Sequence, residues 1–342
     1  MALERLTGRH WTYAVSGKAA IYHCLRAMNV SGAVVVPIYA CESILVPIRG
    51  LGLEPVFADI DPDDLNLSFE SFVSIVSQRP IDAVVVPSLY GNPADLGRFE
   101  AFCRDHGVVM IDDAAQSMGA TFGDRCVGTY GDAGLFSFSP GKATAGHGGG
   151  FFWARQPYSF LRSSHPLAHR VKWLNFYYSR LRAYDTKPYR QLLRLLDIFA
   201  GRLDRNRFWN DQMEPFEEPI LGGILHALFN GGYEFRNHWH SKFKSLLAST
   251  PILRMVVAKR GVPHPHKLVL IADSAERAKS LERFLAGSEI FNSRGYLLLT
   301  DSVNLQGGAS IKGRVIELAI DESFERMSYQ YKALEKFIKE VD

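Results

Sequence analysis

The chain has 342 residues, 47% of them hydrophobic, and a formal net charge of +3. At ~150 residues per domain it is long enough for about two domains and a large buried core, and its balance of charge is too even to argue for a nucleic-acid partner. Cys24, Cys41, Cys103 and Cys126 are scattered, with no CxxC pair and no His/Cys cluster, a pattern that argues against a metal centre or a disulfide scaffold and fits a reducing, cytoplasmic compartment.

In chain order, the opening MALERLTGRH carries charges and no apolar h-region, unlike a secretory signal, and no apolar run anywhere reaches the ~18 residues of a membrane span. Short β-branched runs then alternate with stretches of helical spacing. The runs are at 33–39, 55–59, 82–90 and 108–112, and the helical stretches at 19–28, 42–52, 67–78 and 94–107. Repetition at this pitch predicts right-handed βαβ units and a mostly parallel sheet covered on both faces, an α/β fold. Ligands of such sheets bind beyond the carboxyl ends of the strands, where Tyr39, Asp112 and Asp113 fall.

The rhythm is lost at 156–215, where two or three helices are expected. Between Arg155 and Arg207 stand twelve Lys or Arg against three Asp, interleaved with aromatics as in VKWLNFYYSRLRAY. Amphipathic helices with solvated arginines are one reading of this block. Attraction to a diphosphate or to acidic lipid head groups at a membrane surface is the other. Residues 224–249 read as helix. From 265 onward the pattern is α+β, with strands KLVLIA, GYLLLT and RVIELAI, helix SAERAKSLERFLAG and a last helix ESFERMSYQYKALEKFIKEV. The boundaries expected are a large domain at 1–249, with the basic segment at about 155–210, and a small α+β domain at 250–342.

One lysine stands out. In FSFSPGKATAGHGGG (136–150), Lys142 is the only charged residue apart from His147. A nucleotide P-loop would need Gly, four residues, Gly-Lys and then Ser or Thr; here Phe136 and Ala143 occupy the outer positions. His147 and the glycines after it mimic a hydrolase oxyanion loop, but the chain has no G-x-S-x-G elbow. Ser16-Gly17-Lys18 precedes the first helix, so its backbone N–H groups form an anion site. Asp113 follows a strand, and Lys142 comes 29 residues later. Singly these are a helix cap, a turn and a solvated lysine. Together they supply a phosphate cradle, a carboxylate for a pyridine nitrogen and an amine for a Schiff base, the three needs of pyridoxal phosphate.

On SGKAA (16–20), VVVPIYACES (34–43), PVFADIDPDDLNL (55–67), SLYGNPADL (88–96), VMIDDAAQSMGA (109–120) and VGTYGDAGLFSFSPGKATAGHGGG (127–150), the chain resembles the DegT/DnrJ/StrS sugar aminotransferases. That family belongs to fold type I of the pyridoxal-phosphate enzymes. The likeness is dense over about residues 10–155 and faint beyond. It implies pyridoxal 5′-phosphate as cofactor, Lys142 as the Schiff-base lysine, Asp113 on the pyridine nitrogen and Gln116 on the ring oxygen. Ser137, Ser16 and the backbone of Gly17, Lys18 and Ala19 would hold the phosphate. It also implies transfer of an amino group from an amino acid, glutamate by analogy, to a keto-sugar, and a homodimer. Several positions depart from the family: Lys18 replaces a threonine, and Cys41 the ring-stacking aromatic, with Tyr39 as substitute. Gly148 and Gly149 stand where an acidic residue is common, and the downstream asparagine-rich segment is not recognisable. Sugar dehydration on the same fold goes with loss of the lysine, which this chain keeps. A weakly active scaffold docked on a membrane through 155–207 is the alternative from another class.

Overall fold

The pentapeptide AVVVP occurs at Ala33–Pro37 and again at Ala83–Pro87, and the two copies lie side by side as parallel strands. Both are buried along their whole length. Continuous β-branched runs of this kind suit strands covered on both faces, where no position needs to be polar. The computed structural model describes residues 2–139, 142, 149–159, 233–302, 305–320 and 323–341. The expected basic helices at about 155–210 and the start of the 224–249 helix therefore lie largely outside the described residues.

The strands of the first unit are β1 (Thr12–Ala14), β2 (Ala33–Pro37), β3 (Glu54–Ala58), β4 (Ala83–Pro87), β5 (Val109–Asp113), a small separate hairpin of β6 (Thr121–Phe122) and β7 (Arg125–Cys126), then β8 (Ala133–Ser137) and β9 (Gly150–Ala154). The seven-stranded sheet has the order β1-β9-β8-β5-β4-β2-β3. Its run β3-β2-β4-β5-β8 is parallel, and β9 and β1 close one side antiparallel. The carboxyl ends of the five parallel strands thus share one edge of the sheet. Side chains alternate between two cores in the period of two that a strand imposes. Val35, Val84 and Val86 pack with Phe72 and Phe99 on one face; Val34, Val36 and Val85 pack with Leu25 and Ile48 on the other.

The helices follow their sequence signals. Ser68 caps Phe69–Gln78 by accepting from the Ser71 amide at 3.2 Å. Leu96–His106 ends at Gly107, whose φ of +69° is the left-handed C-terminal stop that glycine adopts without strain. The stretch expected as one helix at 42–52 is a 3₁₀ turn, Glu42–Ile44, followed by Leu45–Gly50.

The second unit is an antiparallel sheet of β10 (Leu253–Met255), β11 (Lys267–Ala272), β12 (Asn292–Arg294) and β13 (Val315–Ala319), in the order β10-β11-β13-β12. Helices Ala275–Gly287 and Phe324–Val341 cover it, burying Leu281, Leu285, Leu334 and Phe337. Helix Tyr233–Leu247 precedes residue 250, yet its Trp239, Phe243 and Leu247 sit in this same core. One expectation is corrected: GYLLLT is no strand of this sheet. After Arg294 the chain crosses to the first unit, where Leu298 bridges Tyr39 and the Leu299 amide donates to the Ile38 carbonyl at 2.8 Å. Tyr296 and Leu298 pack against a core shared between the units, which also holds Ile38, Tyr90 and Val315. Among the described residues no helix is long and apolar enough to cross a membrane.

Candidate active site

Where the five parallel strands end, the loops leave a cavity of about 330 Å³. Its large-unit wall comes from the start of helix Gly17–Ala27, from Cys41 after β2, Ser88 and Leu89 after β4, Asp113 at the end of β5, Gln116, and Ser137, Ser139 and Lys142 at and after β8. The other wall is His266, Lys267 and Tyr296 from the second unit.

At the helix, Ser16 is extended (φ −165°, ψ 165°), and its Oγ accepts from the Ala19 amide at 3.2 Å. The Ala20 amide donates to the Ser16 carbonyl at 2.9 Å. The first amides of a helix have no carbonyl a turn earlier, so those of Gly17 and Lys18 are left to the cavity. A Cβ on Gly17 would lie 2.9 Å from both Cβ and Oγ of Ser137, closer than carbon atoms pack. Glycine is what lets the helix start rest on Ser137, and two amides and a hydroxyl form one concave anion seat. Ala19 is not part of that seat: its amide is occupied by Ser16, and its side chain is buried away from the cavity. Lys18 is exposed at the rim.

Strand alternation separates the two aspartates. Asp112 points into the protein, where its Oδ2 accepts from the Gly128 amide at 2.6 Å and the Tyr130 amide at 3.0 Å. Burial pushes its carboxyl up to about 7. Asp113 faces the cavity, its Oδ1 accepting from the Ala115 amide at 2.9 Å. Burial raises this group too, against the opposing pull of Lys142. Gln116 is fixed at both ends: its Oε1 accepts from the Tyr90 amide at 3.2 Å, and its Nε2 donates to Tyr296 Oη at 3.0 Å. Lys142 lies on the loop after β8, its amide donating to the Ser139 carbonyl at 3.2 Å. Burial pushes its amine down from the ordinary lysine value, while the Asp113 carboxylate pulls the other way, so a larger share of neutral amine is available.

Of the residues singled out in the sequence, Ser16, Gly17, Lys18, Cys41, Asp113, Gln116, Ser137 and Lys142 line the one cavity. Tyr39 does not. It is 1% exposed, in the core between the units, with its hydroxyl 2.7 Å from that of Tyr90. The aromatic the cavity does contain is Tyr296, which sequence reasoning missed along with His266 and Lys267. All three lie beyond the region of dense family likeness. The cluster PHPHK at 263–267 was the available signal, unread because it runs straight into a strand. His266 is buried and driven well below the ordinary imidazole value, first by burial and then by Lys142 and Lys267, so it stays neutral.

An anion seat that a Cβ would fill, a buried carboxylate across from it and a lysine with a depressed amine fit pyridoxal 5′-phosphate group by group. The seat suits its phosphate, Asp113 its pyridine nitrogen and Lys142 its aldehyde. The fold is that of the fold type I pyridoxal-phosphate enzymes. Residues 2–158 match the DegT/DnrJ/EryC1/StrS aminotransferase family. It is 37% identical over 143 residues (41% of this chain, 33% of the relative) to the L-glutamine:2-deoxy-scyllo-inosose aminotransferase of Streptomyces kanamyceticus. It is 33% identical over 144 residues (41% and 39%) to the UDP-N-acetyl-3-dehydro-α-D-glucosamine 3-aminotransferase of Acidithiobacillus ferrooxidans. The matched region spans only 33% and 39% of these two relatives. In three dimensions the chain superposes over 100% of its length and 90% of the other on DesV of S. venezuelae, with a TM-score of 0.75 at 21% identity. The E. coli GDP-4-keto-6-deoxy-D-mannose-3-dehydratase gives 0.69 at 17%, covering 97% and 90%. At these identities the likeness is one of fold.

Proposed function

We propose that the protein is a pyridoxal-phosphate-dependent aminotransferase that moves an amino group from an amino acid, glutamate by family analogy, to a nucleotide-linked keto-sugar in cell-surface glycan biosynthesis. The observation that carries this reading is the convergence of Lys142, Asp113 and the start of helix Gly17–Ala27 on one cavity. The matched relatives, named as aminotransferases of a keto-cyclitol and of a dehydro-sugar nucleotide, support the class of acceptor.

When bound, pyridoxal 5′-phosphate supplies an aldehyde carbon and a cationic ring that draws electrons from the donor's Cα. The chain's residues do the rest. The amides of Gly17 and Lys18 with Ser137 Oγ hold the phosphate. Asp113 would hold a proton on the pyridine nitrogen, and Lys142 Nζ would hold the aldehyde. With the donor bound, Lys142 Nζ would be the group that takes and returns the proton of the donor's Cα, the role its depressed basicity suits. We place the enzyme in the cytoplasm as a homodimer; Leu297, 86% exposed beside the cavity residue Tyr296, supports a second copy at that edge. The alternative, a weakly active scaffold on a membrane surface, rests on the basic sequence at 155–207, most of which lies outside the described residues.

The test is the visible absorbance of purified protein supplied with pyridoxal phosphate, with and without Lys142→Ala. A visible band that vanishes in the variant supports the assignment. Wild-type protein with no band, or a variant with undiminished turnover, refutes it.

A further inference from the structure

Among the described residues the cavity holds one carboxylate, Asp113, and three lysines: Lys18 at the rim of the phosphate seat, Lys142, and Lys267 on the opposite wall. The first two have roles in the reading above; Lys267 does not. It is the first residue of β11, and its Nζ pairs with Oε2 of Glu317 on the neighbouring strand β13. Glu317 is 4% exposed and fully engaged. Its Oε1 accepts from Tyr90 Oη at 2.7 Å, and its Oε2 from Ser293 Oγ at 3.1 Å as well as from Lys267. The carboxylate is thus anchored from three sides and holds the ammonium in place. One ammonium carries three protons, and Glu317 is the only acceptor found for it among the described residues. The cation is therefore fixed at the cavity wall with donors to spare, near enough to Lys142 for the two charges to repel.

We propose that Lys267 positions the amino-acid donor by pairing with its α-carboxylate, an inference that rests on the aminotransferase reading above. In an α-amino acid the carboxylate sits on the carbon that bears the amine. A donor amine at the aldehyde that Lys142 holds must therefore put its carboxylate within a few ångströms of that point. The phosphate seat is already taken and Asp113 repels a second anion, so among the described residues Lys267 is the cation left for it. A carboxylate there is also flanked by Tyr296 and neutral His266, which add no competing charge.

Lys267→Ala alone would strand a buried carboxylate, so the test is the pair Lys267→Gln with Glu317→Gln. The double variant removes both charges and keeps an acceptor for Tyr90. The readout is the first half-reaction of the holoenzyme: loss of the visible band against concentration of L-glutamate or L-glutamine, whichever converts the wild type. The expected result is an apparent donor affinity weakened roughly ten- to hundredfold, the range of a lost charge-assisted contact. The KM for the keto-sugar and the band of the resting enzyme should be unchanged. In addition, the wild type's preference for L-glutamate over 4-aminobutyrate, which lacks the α-carboxylate, should collapse. A double variant with wild-type donor affinity would show that Lys267 is only the counter-ion of Glu317 and overturn the proposal. So would a raised KM for the sugar nucleotide with donor affinity intact. A wild type that shows no band, or no conversion by either amino acid, refutes the aminotransferase reading itself.

Discussion

Replacing Asp112 by Asn tests the claim that the two adjacent aspartates do different work. In the structure Asp112 is fully buried and its carboxyl is displaced upward, from the ordinary 3.8 to about 7, chiefly by burial. A group whose folded value is raised stabilises the fold while it is protonated. Its contribution is complete below the unfolded value near 4 and is lost as pH rises through about 7. At about 1.4 kcal/mol per pH unit, the loss across that window is up to about 4 kcal/mol. Asparagine cannot ionise, so the variant lacks this slope. Its carbonyl oxygen can take the place of Oδ2 toward Gly128 and Tyr130, but its NH₂ then falls where Oδ1 has no partner, at a cost of about 1–3 kcal/mol. Urea unfolding of both proteins between pH 5 and 8 should therefore show the variant gaining on wild type as pH rises. Asp64, raised to about 6, contributes equally to both curves and cancels in the difference. Resting absorbance and turnover should stay near wild type. A stability difference that is flat in pH would refute the burial argument. A variant that folds but loses activity would show that Asp112, and not Asp113, is the cofactor's carboxylate.

Asp113→Asn should give the mirror image, retaining the fold and some cofactor while kcat falls at least about a hundredfold, the lower bound for losing a proton-holding group at the reacting centre; single-turnover kinetics with the amino donor measure it. Gly17→Ala places a methyl 2.9 Å from Ser137. An overpacking cost of about 1–3 kcal/mol, spent on moving the helix start off its seat, should appear as roughly ten- to hundredfold weaker pyridoxal-phosphate binding in a fluorescence titration, with little change in melting temperature. Unchanged affinity would mean that the phosphate sits elsewhere. Lys142→Arg should lose the visible band as completely as Lys142→Ala, because a guanidinium does not condense with the aldehyde; a band surviving in the arginine variant would point to another lysine.

The cofactor half of the cavity was legible in the sequence for a physical reason. Parallel strands buried on both faces cannot disguise themselves as anything but β-branched runs, so β2, β4 and β5 announced where their carboxyl ends lie. Ser16 as a cap and Gly17 after it are local signals of a helix start. The choice of Asp113 over Asp112 needed more, since neighbouring strand residues face opposite sides and the sequence does not say which side is which. Tyr39 shows the same ambiguity: an aromatic just past a strand end could enter the cavity or the core, and here it enters the core. GYLLLT misled because an apolar run does not say which surface its residues meet, or whether all of them meet one: Leu297 is 86% exposed. The surface that buries Leu298 and Leu299 is the loop after β2, remote in sequence. His266, Lys267 and Tyr296 were hard to place for that reason too. They reach the cavity only through the docking of the second unit, a long-range event that the local PHPHK cluster does not reveal.

That docking is fixed by hydrogen bonds whose direction can be deduced. Burial raises the phenols of Tyr39, Tyr90 and Tyr296, so each keeps its proton. Tyr90 Oη donates to Glu317 at 2.7 Å, and must then accept from Tyr39. Tyr39 Oη in turn accepts the Tyr296 amide at 3.2 Å. The donors therefore run one way from Tyr296 through Tyr39 and Tyr90 to Glu317, crossing between the units twice, and Lys267 donates to the same carboxylate from the other side. Tyr90 is held for this at φ 59°, ψ 17°, a left-handed conformation costly for an aromatic residue and found where surrounding structure over-determines it. What over-determines it is close by. Gly91 (φ +88°) lies so near the carbonyl of His264 that any Cβ would overlap it, and its own carbonyl accepts the His264 amide at 2.9 Å. The loop after β4 thus grips the backbone just before Lys267 while its tyrosine grips the carboxylate that holds the Lys267 side chain. A site assembled from two units in this way is only as well placed as the contact between them, which is why a strained tyrosine is retained three residues beyond the end of a strand whose own burial is complete.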